Sequence, residues 1–406
     1  MNRDTPSALK PIRILDLSQG VAGGYCTKMM AGFGAEVIKI ESPGRGDEVR
    51  STVPFWKDEP NLETSCLHLH VNASKKSITL DVSQPGGAEL FLRLVPQASA
   101  VVESFPPGFM AKHGLGYETL KKLNPSLVMT SITPFGQTGP RKDWKGNELV
   151  NYAVGGYSHL TGLPEREPIK AYGQVMQYHT GMHAALGTLA ALWRSYLRGI
   201  GEYVDVSIHD CVAFMVGQPP LQYRQTGVIQ NRVGSKNTGS VRSAGTFSEI
   251  LPCADGYLHV HSPMGPAHHN GIAELIGEPR WLEPAFAEER APGSDVIEEV
   301  LLPWLQDKTK IELMWMAQKV NGPWTPVLNT AEVVNDPQHK ARGFFVEVDH
   351  PVVGKVKQLD YNFVARDTPW RTVPAPLLGE HNEEIFCQRL GLSKADLSLL
   401  RERGVV

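Results

Sequence analysis

Two kinds of residue cluster in this chain could do chemistry: paired histidines, and glycine-rich loops accompanied by lysines. The histidines stand as His68/His70 and His259/His261 at strand spacing, His268–His269 in tandem, and His179/His183 at helical spacing. A zinc site needs three or four converging ligands, and no pair comes with the cysteine or carboxylate that would complete one. His179 and His183 also lack the adjacent glutamate of H-E-x-x-H. The pairs read as ordinary buried or surface histidines, and no metal is expected. A Walker loop, a kinase signature and a G-x-S-x-G elbow are absent from the sequence.

The glycine loops are more suggestive. Ser18 to Gly24 carries Gly20, Gly23 and Gly24, and Pro134 to Lys145 is glycine-rich and basic. Lys75 and Lys76 form a further basic pair. Backbone N–H groups and ammonium groups are what the phosphates of a nucleotide-like ligand need. The competing reading, a solvated surface lysine, is the commoner one for any single residue. The spacing G-x-x-G-G departs from G-x-G-x-x-G, so the acidic Glu41 about twenty residues on does not make a dinucleotide fingerprint.

These loops must be held by regular elements. Pro11–Leu17, Glu36–Glu41, Ser77–Val82, Ala100–Ser104, Ser126–Thr130 and Tyr203–Ile208 read as strands, with helices at Tyr25–Phe33 and Pro85–Val95 between them. Strands alternating with helices imply an open parallel sheet, which binds ligands at the carboxyl ends of its strands. One long helix organises the middle of the chain. Its apolar positions recur at Met182, Leu186, Leu189, Trp193 and Leu197, and its other faces are small: Gly181, Ala184, Ala185, Gly187, Ala190 and Ala191. Small residues let backbones approach, so this helix is expected to be buried and central. Arg194 and Arg198 suit its last turn, and Gly199 and Gly201 end it. Asp205, in the strand that follows, is expected to satisfy local backbone or a helix end.

The 406 residues carry 41% hydrophobic and 20% charged side chains, which suits a globular protein of two domains. A formal charge of −3 excludes a global basic footprint, so no nucleic acid is expected as a partner. No apolar run approaches the roughly 20 residues of a membrane span, and the first residues do not read as a secretory signal. Five scattered cysteines without C-x-x-C spacing imply reduced thiols and a cytoplasmic location. Thr226 to Gly245 is polar and rich in glycine and serine, and reads as a linker and mobile loop into a second domain. There the Asp255–Gly256 pair signals a hairpin, amphipathic segments follow at Gly271–Ile276, Asp295–Leu305 and Ile311–Val320, and a second hairpin surrounds Val353–Gly354.

Several blocks, in order, carry a resemblance. They are Gly34-Ala35-Glu36-Val37-Ile38-Lys39-Ile40-Glu41, Gly46-Asp47-x-x-Arg50, Asn72-x-x-Lys75-x-Ser77 and Leu115-Gly116-Tyr117-Glu118. Ser131 to Pro140, Thr180-Gly181-Met182-His183, Gly201-Glu202-x-Val204-Asp205-Val206-Ser207, Asp336 to Gly343 and Leu378-Gly379-Glu380-His381 continue the series. The chain resembles the family III CoA-transferases, a family that also includes 2-methylacyl-CoA racemases. The resemblance implies an α/β architecture: a Rossmann-like parallel-sheet large domain (1–222 and 330–406), an inserted smaller α+β domain (223–329), and an interlocked dimer. It implies coenzyme A thioesters as substrates and no permanently bound cofactor. The CoA-contacting positions it implies are Gly20, Val21, Ala22, Lys75, Ser104, Phe105 and Lys145.

The resemblance also implies a catalytic aspartate three residues before the Thr of T-G-M-H, where this chain has Gln177. In the family that aspartate attacks an acyl-CoA thioester to give a mixed anhydride and then an enzyme-bound CoA thioester. An uncharged amide cannot do this. The racemases' paired histidine and aspartate align with Asn147 and Gln177, which removes the two-base route as well. Glu148 is retained where the family often has an acid. The expectation is therefore one subunit of a hetero-oligomeric CoA-transferase, with a homologous, aspartate-bearing partner subunit supplying the nucleophile. Succinyl-CoA is the expected donor and a dicarboxylic acid such as (R)-benzylsuccinate the acceptor. The alternatives are a self-sufficient homodimer with changed chemistry, using Glu148 or a carboxylate from the small domain, and a non-catalytic CoA-binding or regulatory protein.

Overall fold

A computed structural model describes residues 7–234, 247–262, 266–279, 297–360 and 363–406. The chain divides into two compact units. One comprises Met1–Gly155, Tyr172–Met215 and Pro337–Val406, and the other Gly156–Ala171 and Val216–Asp336.

The first unit is built on six strands: β1 (Arg13–Asp16), β2 (Glu36–Glu41), β3 (Lys76–Thr79), β4 (Ala100–Glu103), β5 (Val128–Thr133) and β6 (Glu202–Ser207). Their order is β3-β2-β1-β4-β5-β6 and every pairing is parallel. Strands β4 and β5 are buried along their whole length, as strands in a sheet covered on both faces must be. Strand order reverses between β1 and β4, so the loops after these two strands open a crevice between them. The core joins Leu15, Ile38, Ile78, Phe91, Val101 and Met129 to Ile385, Phe386 and Leu397 from the C-terminal segment. Asn382 ties that segment to the sheet edge: its Oδ1 accepts from the Thr79 N–H (2.9 Å) and its Nδ2 donates to Thr79 Oγ1 (2.7 Å). A two-stranded antiparallel hairpin, Phe345–His350 with Gly354–Leu359, completes this unit.

In the second unit, Phe247–Cys253 and Gly256–Ser262 form the hairpin expected at Asp255–Gly256, with Thr325–Pro326 as a third strand. Its core is Leu258, Val260, Ile272, Leu305, Leu313 and Trp324. The helix Lys310–Lys319 starts on a capping box in which Thr309 and Glu312 each satisfy the other's backbone N–H. The linker expected at Thr226–Gly245 falls outside the described residues from 235 onward, as do the first residues of the segment Asp295–Leu305.

Two expectations are corrected. The glycines of Ser18–Gly24 do not form a loop, because the helix Gly20–Gly32 begins at the first of them. Burial of the whole first turn outweighs the weak helix propensity of glycine. The long helix, Val175–Arg198, is not buried on all sides as expected, but only along its small-residue face. Gly181, Ala184, Ala185, Thr188 and Ala191 are buried, while Leu186 and Trp193 are 67% and 62% exposed. The small residues set the contact. A Cβ on Gly181 would stand 2.7 Å from the Ala22 carbonyl oxygen, so only glycine lets the two helices approach this closely.

A buried set of charges joins the end of β1, the middle of β2 and the residue before β3. Lys75 Nζ donates to Asp16 Oδ2 at 3.0 Å, and Lys39 Nζ lies 3.5 Å from Asp16 Oδ1 and 2.7 Å from Asp47 Oδ2. Burial alone would raise the Asp16 carboxyl, but Lys39 and Lys75 and hydroxyls from Ser18 and Thr27 bring it down to about 2. Asp16→Asn would leave these buried ammonium groups under-compensated. The expected loss is about 3–5 kcal/mol of stability, measured by urea unfolding at pH 7, as for other buried ion pairs broken from one side.

Candidate functional site

The crevice at the reversal point has a volume of about 650 Å³, within the range of small-molecule sites. Leu17, Ile40, Leu80 and Val82 give it apolar walls, and Phe105 stacks on Phe109 at one side with ring centroids 4.2 Å apart. Ser42, Arg45 and Ser83 are among its polar lining. The two loops that open it are pinned together: the Gln19 N–H donates to Ser104 Oγ (2.7 Å), and that hydroxyl donates to the Gln19 carbonyl (3.2 Å). A flat aromatic wall, apolar sides and a polar mouth suit a nucleotide-like group.

Of the expected CoA contacts, Phe105 is a wall of the crevice and Ser104 is the tie behind it. Gly20, Val21 and Ala22 form the first helical turn beside the crevice and are buried. Gly20 has φ +78°, and a Cβ there would collide with the Glu48 carboxylate, so this position requires glycine. Its N–H donates to Asp47 Oδ1 at 2.9 Å, which fixes where the helix begins. Val21 packs with Val49, Val71 and Tyr178, the last being the neighbour of Gln177.

Lys75 is corrected. It is neither a phosphate ligand nor a surface lysine, because its ammonium is buried and donates to Asp16 Oδ2 (3.0 Å), the Gly24 carbonyl (2.8 Å) and Asn72 Oδ1 (2.8 Å). All three protons are used. Lys145 is exposed and does not line the crevice. Asn147 caps the helix Glu148–Val154 by accepting from the Val150 N–H at 3.0 Å. Glu148 reaches the start of the long helix, where Oε1 accepts from the Met176 N–H (3.0 Å) and Oε2 from the Gln177 N–H (3.2 Å). A carboxylate is favoured there because the first N–H groups of a helix have no partner inside it. Asp205 satisfies backbone as expected, its two oxygens accepting from the Gln137 N–H at 3.1 and 3.0 Å.

Residue types missed the buried charges that shape the crevice. Asp47, whose N–H donates to Glu41 Oε2 (3.0 Å), and Arg50, whose Nε donates to the same oxygen (2.6 Å), hold the loop after β2. Both stood in the block Gly46-Asp47-x-x-Arg50 without an assigned role. Two further carboxylates are also perturbed, one lining the crevice and one buried at the end of β4. Burial and the neighbouring Asp47 push Glu48 up. Glu103, the last residue of β4, is pushed up to about 7 by burial, against hydrogen bonds from Ser131 and from the Phe105 N–H (2.7 Å). Among the described residues no group of three or more His, Cys, Asp or Glu is placed to hold a metal ion, and His179 and His183 instead pair with each other, Nε2 to Nε2, at 2.9 Å. No described helix is long and apolar enough to cross a membrane.

The Glu103 shift has a sign that can be tested. Between the ordinary glutamate value and about 7 the native chain holds a proton that the unfolded chain has released, so stability falls as pH rises through that window. Glu103→Gln keeps an acceptor for the Phe105 N–H and removes the titration. From pH 5 to pH 8 the variant should gain about 2 kcal/mol relative to the wild type in urea melts at the two values.

Residues 9–382 match the family description "CoA-transferase family III". The succinyl-CoA–D-citramalate CoA-transferase of Chloroflexus aurantiacus is 34% identical over 99% of this chain and 98% of its own. The formyl-CoA:oxalate CoA-transferase of Afipia carboxidovorans is 33% identical over 98% and 97%. Among solved structures, a CAIB/BAIF family protein from Brucella suis superposes with a TM-score of 0.82 at 28% identity, covering 94% of this chain and 99% of its own. Rv3272 from M. tuberculosis gives 0.79 at 27% identity, covering 93% and 99%. These relatives bear a whole transferase name on a single chain that this one matches from end to end. That overturns the expectation of an obligate, aspartate-bearing homologous subunit. This chain belongs to CoA-transferase family III, and its chemistry is the transfer of coenzyme A between an acyl-CoA and a carboxylate.

Proposed function

We propose that this chain is a self-sufficient transferase that moves coenzyme A from succinyl-CoA to a dicarboxylic acid, the class that includes (R)-benzylsuccinate. The observation that carries the reading is the crevice at the β1/β4 reversal, joined to an end-to-end likeness to a transferase named for succinyl-CoA and D-citramalate. In this reading the nucleotide end of CoA lies against Phe105 and Phe109, and the thioester reaches toward the turn that carries Gln177. Gln177 offers an amide there, so the attacking carboxylate comes from elsewhere in the same chain.

The working unit is proposed to be an interlocked homodimer. Leu186, Trp193, Tyr196 and Leu197 form an exposed apolar stripe on the long helix, with Tyr196 79% exposed. Stripes of this kind mark surfaces that a partner covers. Two measurements test the reading. The purified chain, supplied with succinyl-CoA and ¹⁴C-succinate, should move label into succinyl-CoA without any second protein. No exchange, or exchange only after a homologue is added, would reject it. In sedimentation equilibrium the wild type should run as a dimer, and the double change Leu186→Glu with Trp193→Glu should yield monomer.

A further inference from the structure

We infer that Glu48 is the carboxylate that accepts the acyl group, an assignment that rests on the transfer reading above. Four carboxylates lie close enough to the crevice or to Gln177 to compete. Asp47 is buried, with Oδ2 on Lys39 (2.7 Å) and Oδ1 accepting from the Gly20 N–H (2.9 Å) and Val49 N–H (3.2 Å). Asp81 accepts from the Ser83 hydroxyl (2.6 Å) and N–H (3.0 Å) through Oδ1, and from Gln84 Nε2 (3.0 Å) through Oδ2. Glu148 has one backbone N–H on each oxygen. Hydrogen bonds of this kind stabilise a carboxylate as it is and blunt its attack on a carbonyl.

Glu48 differs from all three. It lines the crevice, and among the described residues its carboxylate accepts no hydrogen bond and joins no ion pair. Its position is nevertheless fixed. The Glu48 N–H donates to Gln19 Oε1 (3.3 Å), Thr52 Oγ1 donates to its carbonyl (3.0 Å), and the carboxylate rests over the Cα of Gly20. The next residue, Val49, belongs to the apolar cluster of Val21 and Val71, against which Tyr178, the neighbour of Gln177, packs. The upward push on its pKa adds basicity to an oxygen that already has the access.

The steps balance without any further reagent. A Glu48 oxygen attacks the thioester carbonyl, forming a C–O bond as the C–S bond breaks and the CoA thiolate leaves. The thiolate attacks the Glu48 carbonyl of the mixed anhydride, and the donor departs as a carboxylate. The acceptor carboxylate then attacks the glutamyl thioester, releasing thiolate, which attacks the acceptor carbonyl of the second anhydride and frees Glu48.

Hydroxylamine trapping during succinyl-CoA/succinate exchange, followed by peptide mass spectrometry, tests the assignment. A hydroxamate on Glu48 that requires succinyl-CoA is expected. Glu48→Gln should lose exchange by roughly 10³-fold or more, the scale seen when a nucleophile is removed. CoA binding by calorimetry should stay within about threefold of wild type, which separates lost chemistry from a lost fold. Wild-type exchange accompanied by an adduct on Glu148, an adduct elsewhere, no adduct, or an active Glu48→Gln overturns this assignment alone. Absence of exchange in the wild type overturns the transfer reading and this assignment together.

Discussion

The Asp16 carboxylate, held between the ammonium groups of Lys39 and Lys75, is the contact on which the ligand-facing end of the sheet depends. Each group comes from or adjoins a different strand, so three neighbouring strands are joined by charge as well as by backbone. Desolvating these groups is expensive, and the arrangement persists because nearly every lone pair and proton is met. The connection then runs outward. Lys39 holds Asp47, Asp47 holds the Gly20 N–H, and the first helix starts there. From Asp47 the backbone reaches Glu41, which clamps Arg50 through both oxygens (2.6 and 2.9 Å), and Arg50 donates to the Pro376 carbonyl at 3.1 Å. A perturbation at Asp16 is therefore felt at the crevice and in the returning C-terminal segment.

Much of the sheet was legible because burial leaves a plain pattern. Glu36–Glu41 reads as a strand from its β-branched run and is one, and Asp255–Gly256 turns a hairpin where that dipeptide favours one. The long helix shows where pattern reading stops. Periodicity tells which residues share a face, and size suggests that the larger apolar face is inside. Here the small face is inside, because close helix approach rewards the absence of side chains, and the large face is left exposed. The same limit applies to Lys75. Its type announces a charge, but only the fold shows that Asp16, 59 positions away in sequence, consumes it. Gln177 and Glu148 were legible as chemistry, whereas their relation was not: Glu148 reaches the Gln177 backbone N–H across a gap of 29 residues.

The charge distribution around the crevice bears on how a polyanion could occupy it. Its acidic lining residues would repel phosphates if all were bare. Asp47 is neutralised by Lys39, and Asp81 is held by hydroxyl, N–H and amide donors, which spread its charge. Glu48 joins no ion pair among the described residues, and only the more distant Lys39 offsets its charge. An uncompensated carboxylate facing a phosphate costs affinity, whereas one facing the electrophilic carbon of a thioester gains a reaction. Under the proposed assignment, a CoA molecule entering this crevice is thus biased in orientation, phosphates away from Glu48 and acyl end toward it. The same electrostatics favours an acceptor that enters only after the first thiolate has been rejoined to Glu48 and the donor carboxylate has left, because a free thiolate and two free carboxylates together would place three anions in one small space. Covalent capture of the first acyl group removes one of those charges before the second acid arrives.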